Sequence, residues 1–122
     1  MQTQEIERDQ WRPFLDQFSR KHLGEPVTVV VLTKDAGPER VATDLPLVGI
    51  VDDPKSSDGE SIEIVAGESS ARNVVHEIFS PSRVRVARQD DGSDVALEFE
   101  SGDAPPTIVH FGGTERAVTF GA

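Results

Sequence analysis

The sequence has no cysteine and no tyrosine, and one methionine and one tryptophan in 122 residues. Without thiols there is no disulfide scaffold, no thiolate zinc or iron–sulfur centre and no cysteine nucleophile. A chain free of disulfides suits a reducing compartment, so a cytoplasmic location is expected. Basic residues are also scarce. Twelve Lys and Arg stand against 22 Asp and Glu, a formal charge of −10. A protein that works by neutralising nucleic-acid phosphates needs the opposite balance. Apolar runs are short, and none approaches the roughly 20 residues of a membrane-spanning helix. The opening residues, MQTQEIE, are polar and acidic and do not read as a signal peptide. No membrane or nucleic-acid partner is therefore expected. The 36% of hydrophobic residues suffices for one modest core. The expectation is a single domain over residues 1–122, with 1–8 and 113–122 as flexible ends.

One segment has a helical period. Trp11, Phe14, Leu15 and Phe18 stand at i, i+3, i+4 and i+7 and form one apolar stripe. Arg20, Lys21 and His22 follow, where positive charge suits the helix dipole. Gly24 and Pro26 then end the helix. The spacing predicts a helix over about residues 9–22. Its first turn is irregular, because Pro13 lies past the first helical position that proline favours.

The remainder alternates in the manner of strands. Residues 27–32 are β-branched almost throughout. Residues 40–43, 45–51, 62–66, 73–79, 83–88, 95–100 and 107–111 read as further strands, and 117–120 as a last one. Residues 52–59 and 68–71 read as loops by composition. No helical pattern separates the strands, so a parallel sheet is not expected. The fold class is α+β, mainly β. One N-terminal helix precedes six to eight short antiparallel strands, as a strongly bent sheet or a small Sm/SH3-like barrel. The helix stripe is expected to bury against Val29, Val31, Ile50, Ile64, Val84, Leu97 and Phe99.

Three stretches carry a resemblance when taken together: QWRPF through FSRKHLG at residues 10–24, DLPLVGI at 44–50 and VHEIFSPSRV at 75–84. In this order they resemble an uncharacterised bacterial family of small proteins catalogued as a domain of unknown function. The likeness covers residues 5–111. It implies no activity and transfers no functional residue. The pattern His76, Ile78, Pro81 after a helix and bent strands is similar to the Sm-like barrels of bacterial RNA chaperones. That likeness implies fold only, and the acidic charge opposes RNA binding.

No catalytic or cofactor motif is present. The serines lie in turn-like contexts and not in a nucleophile elbow, and no glycine pattern makes a phosphate loop. His22 reads as a favourable charge at a helix end. His76 and His110 lie mid-strand and are the one pair that could share a metal or an acid–base role with nearby carboxylates. Asp52, Asp53, Asp58 and Glu60 crowd one segment without the ligand spacing of a calcium loop, which reads as a solvated acidic loop. Arg83, Arg85 and Arg88 form the one basic cluster, a candidate face for an anion or a partner. Glu98 and Glu100 on the next strand are placed to pair with that row across a hairpin. No metal and no cofactor is expected. The residues favour a small soluble non-enzymatic binding or interaction module whose partner is a protein surface. Two alternatives remain: a metal-binding or hydrolytic protein using His76 and His110, and an Sm-like nucleic-acid binder.

Overall fold

The computed structural model of the protein describes residues 1–56, 59–102 and 104–112. Among these residues there is one α-helix, α1, over Trp11–Lys21, and a 3-10 turn, Arg8–Gln10, leads into it. Pro13 explains this irregular entry. A proline ring clashes with the carbonyl four residues earlier, here Asp9, so the α-helix cannot extend back that far. At the third helical position its missing N–H costs nothing, since the first N–H groups have no intrahelical partner. Gly24, at φ 81°, turns the chain after the helix.

Eight strands follow the order β1 (Gln2–Glu5), β2 (Pro26–Thr33), β3 (Gly37–Ser56), β4 (Gly59–Ser69), β5 (Arg72–Phe79), β6 (Pro81–Arg88), β7 (Asp94–Ser101) and β8 (Thr107–Phe111). All pairings are antiparallel. They form one open sheet in the order β1-β6-β7-β8-β2-β3-β4-β5. Strand β3 makes the bend. Its residues 37–46 pair with β2 and its residues 47–56 with β4. Near the end of the first half stands Asp44 at φ 50°, and the register shifts in both ladders. Such irregularities sharpen local twist and let one strand serve two differently oriented parts of a sheet.

The sheet curls but does not close, so the small-barrel form of the expectation gives way to a bent open sheet. The edge strands are β1, which pairs with β6 from Gln2 opposite Arg88 to Glu5 opposite Arg85, and β5, and the described residues of these two do not pair. Strand β5 ends at Ser80, φ 51°, whose N–H donates to Glu60 O at 3.0 Å. Residues 2–5, read from sequence as a flexible end, are thus a paired edge strand. The loop expected at 52–59 is largely strand, since β3 runs to Ser56 and β4 begins at Gly59. Much of the loop expected at 68–71 likewise belongs to β4, which runs to Ser69. The expected strand at 117–120 and the tail 113–122 lie outside the described residues.

Helix α1 closes the concave side. Trp11, Leu15 and Phe18 are buried with Val29, Ile50, Ile64, Val84, Leu97 and Phe99. Phe14 and Val31 were expected in this core and are only half buried. Phe14 packs at the rim, 5.5 Å from the Phe18 ring. The Trp11 indole donates to Ile6 O at 2.9 Å, and Ile6 N–H donates to Val84 O at 2.8 Å. No helix among the described residues is long and apolar enough to cross a membrane.

Candidate functional site

Alternation along β3, β4 and β5 sends Ile50, Ile62, Ile64 and Ile78 into the core. Their neighbours project from the convex face. Register sets the residues of this parity in rows: Gly49, Val65, Val75; then Val51, Glu63, Glu77; then Asp53, Ser61, Phe79, of which Ser61 is fully buried. No helix among the described residues covers this face, because α1 lies on the other side. Val51, Val75 and Phe79 are 55%, 54% and 50% exposed. These exposed apolar side chains flank an acidic centre, Glu63 and Glu77. Glu63 and Glu77 lie directly opposite each other, an arrangement that destabilises a strand pair. The only trace of this face in the sequence is alternation in which both sets are apolar, Ile62, Ile64 and Ala66 against Val65.

The arginine row projects from β6 and is fully engaged. Arg83 Nε lies 3.2 Å from Glu100 and 3.4 Å from Glu5. Arg85 is buried and donates to Glu98 Oε1 from Nε at 2.8 Å and from Nη2 at 2.5 Å. Arg88 donates to Asp94 at 2.9 Å and to Gln4 at 3.0 Å. The opposite-charge pairing across the hairpin is what β6 and β7 contain. Burial pushes the Glu98 carboxyl above its usual range, against the pull of Arg85.

The histidines are dispersed. His76 Nε2 lies 3.0 Å from Thr107 Oγ1, beside a cleft of about 160 Å³, and burial lowers its pKa. His110, three residues beyond Thr107, is buried on the opposite face of β8. The two rings therefore share no site. No group of three or more His, Asp or Glu side chains among the described residues is arranged to hold a metal ion. His22 is buried, with its ring 4.4 Å from that of Phe18 and 4.8 Å from that of Phe111. Its Nδ1 lies 2.5 Å from Glu25 Oε2 and its Nε2 2.8 Å from Asp94 Oδ2. Lys21 and Arg88 also reach Asp94, so this carboxylate ties the helix end to the β6–β7 hairpin.

The acidic segment is not a solvated loop throughout. Asp52 faces inward from β3, is 8% exposed and shares a hydrogen bond with Glu60 on β4. Burial and Glu60 raise its pKa to about 6. Glu60 is ion-paired with Arg8, whose guanidinium lies over the Trp11 ring, 4.7 Å from its centroid. Ser19 fixes the helix beside this strand. Its hydroxyl accepts from Ile50 N–H at 2.8 Å and donates to Leu15 O at 2.7 Å. A groove of about 520 Å³ opens there, lined by Arg12, Pro13, Asp16, Ile50, Val51 and Asp52. Sequence reasoning missed this arrangement because Arg8, Arg12 and Asp52 are brought together only by tertiary packing.

The chain belongs to a family of unknown function, DUF5335, whose model matches residues 2–117. All three stretches that carried the resemblance fall within that span. No curated protein and no solved structure matches the chain.

Proposed function

We propose that the protein is a non-enzymatic cytoplasmic interaction module whose convex β3–β4–β5 face docks a basic, partly apolar segment of a protein partner. The observation that carries this reading is Glu63 opposite Glu77 among exposed Val51, Val75 and Phe79 and half-buried Val65. A lysine or arginine placed between the two carboxylates relieves their repulsion, and apolar neighbours on the same segment cover the valines. Interfaces of this kind draw affinity from a desolvated apolar centre and specificity from charge matching. The net charge of −10 favours a cationic partner and opposes nucleic acid. The arginine row adds no attraction for phosphate, since Arg83, Arg85 and Arg88 already face carboxylates.

Calorimetric titration with a synthetic peptide of alternating lysine and valine tests the reading. The expected result is binding that weakens with salt and is abolished in the Glu63→Lys, Glu77→Lys double variant. A matching peptide of glutamate and valine should not bind. Equal binding of the lysine peptide to wild type and to the charge-reversed variant would refute the assignment.

A further inference from the structure

The groove beside α1 shares Val51 with the rim of the convex docking face and is otherwise built from different residues, and its polar groups do not pair with one another fully. Asp52 lies in its wall, more than nine-tenths buried. One carboxyl oxygen is engaged with Glu60, while Oδ1 has no hydrogen-bond partner. A buried oxygen left in this state costs about 1–3 kcal/mol unless a donor meets it. In its ionised form Asp52 carries lone pairs on Oδ1. What it lacks is a donor.

The opposite need stands on the helix. Arg12 lines the same groove and is close enough for its charge to act on Asp52. It has no ion pair among the described residues. Arg8 is occupied by Glu60, and Asp16 by Arg20. The first turn of α1 contains no acidic side chain and no side-chain cap, so its positive end adds to the guanidinium. Pro13 and Ile50 supply apolar wall. A bare cation would meet Arg8 and Arg12 as well as Asp52. A bare anion would meet the Asp52 lone pair. A ligand with an ammonium and a carboxylate on one carbon satisfies both groups.

We propose that this groove binds a free α-amino acid with an apolar side chain, its carboxylate on the Arg12 fork and its ammonium on Asp52 Oδ1. A planar guanidinium grips a carboxylate through two parallel hydrogen bonds. The ammonium replaces the donor that Asp52 lacks. The charged groups facing Asp52 are Glu60 from β4, Arg8 from the 3-10 turn and Arg12 from α1. An ammonium ion favours the ionised form of this carboxyl, so binding weakens as pH falls. At about pH 5 roughly one-tenth of a group with a pKa of about 6 is ionised, which weakens binding about tenfold relative to about pH 8.

The test is titration with L-leucine, followed by calorimetry and by amide chemical shifts. Two analogues accompany it: isoamylamine, which lacks the carboxylate, and 4-methylpentanoate, which lacks the ammonium. Leucine should shift amides at residues 12, 14–16 and 50–52 and bind about tenfold more weakly at about pH 5 than at about pH 8. Each analogue should bind at least about tenfold more weakly than leucine. Arg12→Gln, at an exposed position that leaves the fold intact, should lose leucine binding, and Asp52→Asn should lose both binding and its pH dependence. Three outcomes would overturn the proposal: no shift at millimolar leucine, leucine binding unchanged in Arg12→Gln, or isoamylamine binding as tightly as leucine.

Discussion

Glu63 on β4 lies opposite Glu77 on β5, both on the convex face, with Val51 beyond Glu63 in the same row. A sheet built for stability alone would put opposite charges at such a position, as β6 and β7 do with Arg83 and Glu100 and with Arg85 and Glu98. The same chain thus pairs its charges on one hairpin and opposes them on another. The opposed pair lies where apolar side chains are exposed, which is why this face and not the arginine row is assigned to the partner.

Removing one charge should therefore stabilise the free protein. Glu77→Gln is expected to raise the unfolding free energy by about 0.2–1 kcal/mol, the usual scale of a cross-strand pair. Its affinity for the lysine–valine peptide should fall. Chemical denaturation at low salt measures the first effect and calorimetry the second. A variant that is less stable than wild type would contradict the repulsive reading.

Asp94 and His22 behave in the opposite sense. The Asp94 side chain is 2% exposed. Burial alone would raise its pKa, but hydrogen bonds from His22, Lys21 and Arg88 outweigh it and lower the pKa. A carboxylate whose pKa is lower in the fold contributes stability above its unfolded pKa, and that stability is lost as pH falls through the folded value. Asp94→Asn should cost about 3–5 kcal/mol, because it leaves three donors around a neutral amide. The variant should also lose part of the acid-induced destabilisation below about pH 4. Urea midpoints across pH for the two proteins provide the check.

Asp52 carries the reverse sign. Its pKa is raised from 3.8 to about 6 in the fold, so the native state holds a proton that the unfolded chain has released. Stability at this site is lowest at neutral pH and rises as pH falls from about 6 towards 3.8. Asp52→Asn should raise stability at about pH 7 by about 1–2 kcal/mol and flatten the profile between about pH 7 and pH 4. If the variant were less stable than wild type at neutral pH, the carboxyl would not be the strained group described.

The helix stripe is unequal. Phe18 is 4% exposed and lies edge-on to Phe111, ring centroids 5.0 Å apart. Phe18→Ala should cost about 3–5 kcal/mol. Phe14, half buried at the rim, should cost less than half as much on the same truncation, since less surface leaves the core. Thermal unfolding of the two variants side by side would show the difference, and equal losses would count against the rim position of Phe14.

Among the described residues, Gly67 is the one glycine whose replacement meets hard contact. It lies at φ 155° where the β4–β5 ladder shifts register. A Cβ there would sit 2.4 Å from Arg72 O and from Asn73 Cα. Both neighbours are backbone, so they cannot rotate away. Gly67→Ala should destabilise by more than about 2 kcal/mol, read from chemical denaturation.

Local periodicity in the sequence was enough for the helix stripe, most of the strands, the antiparallel arrangement and the Arg83–Glu100 and Arg85–Glu98 pairing, because each depends on residues near one another or on adjacent strands of a hairpin. The irregular helix entry was legible for the same reason, since Pro13 acts on its own turn. Pairing partners far apart in sequence were not legible. The pairing of β1 with β6 joins residues 2–5 to residues 85–88, and nothing in a polar tetrapeptide signals which edge it will take. The extended run through residues 52–56 was hidden because Asp, Pro and Ser have turn-forming composition whatever their tertiary setting. The candidate sites belong to the same class. Glu63 meets Glu77 only once β4 and β5 are in register. Asp52 meets Glu60, Arg8 and Arg12 only once α1 is seated on the bent strand. Sequence spacing fixes which face a side chain takes on its own strand or helix, and packing alone decides what lies across from it.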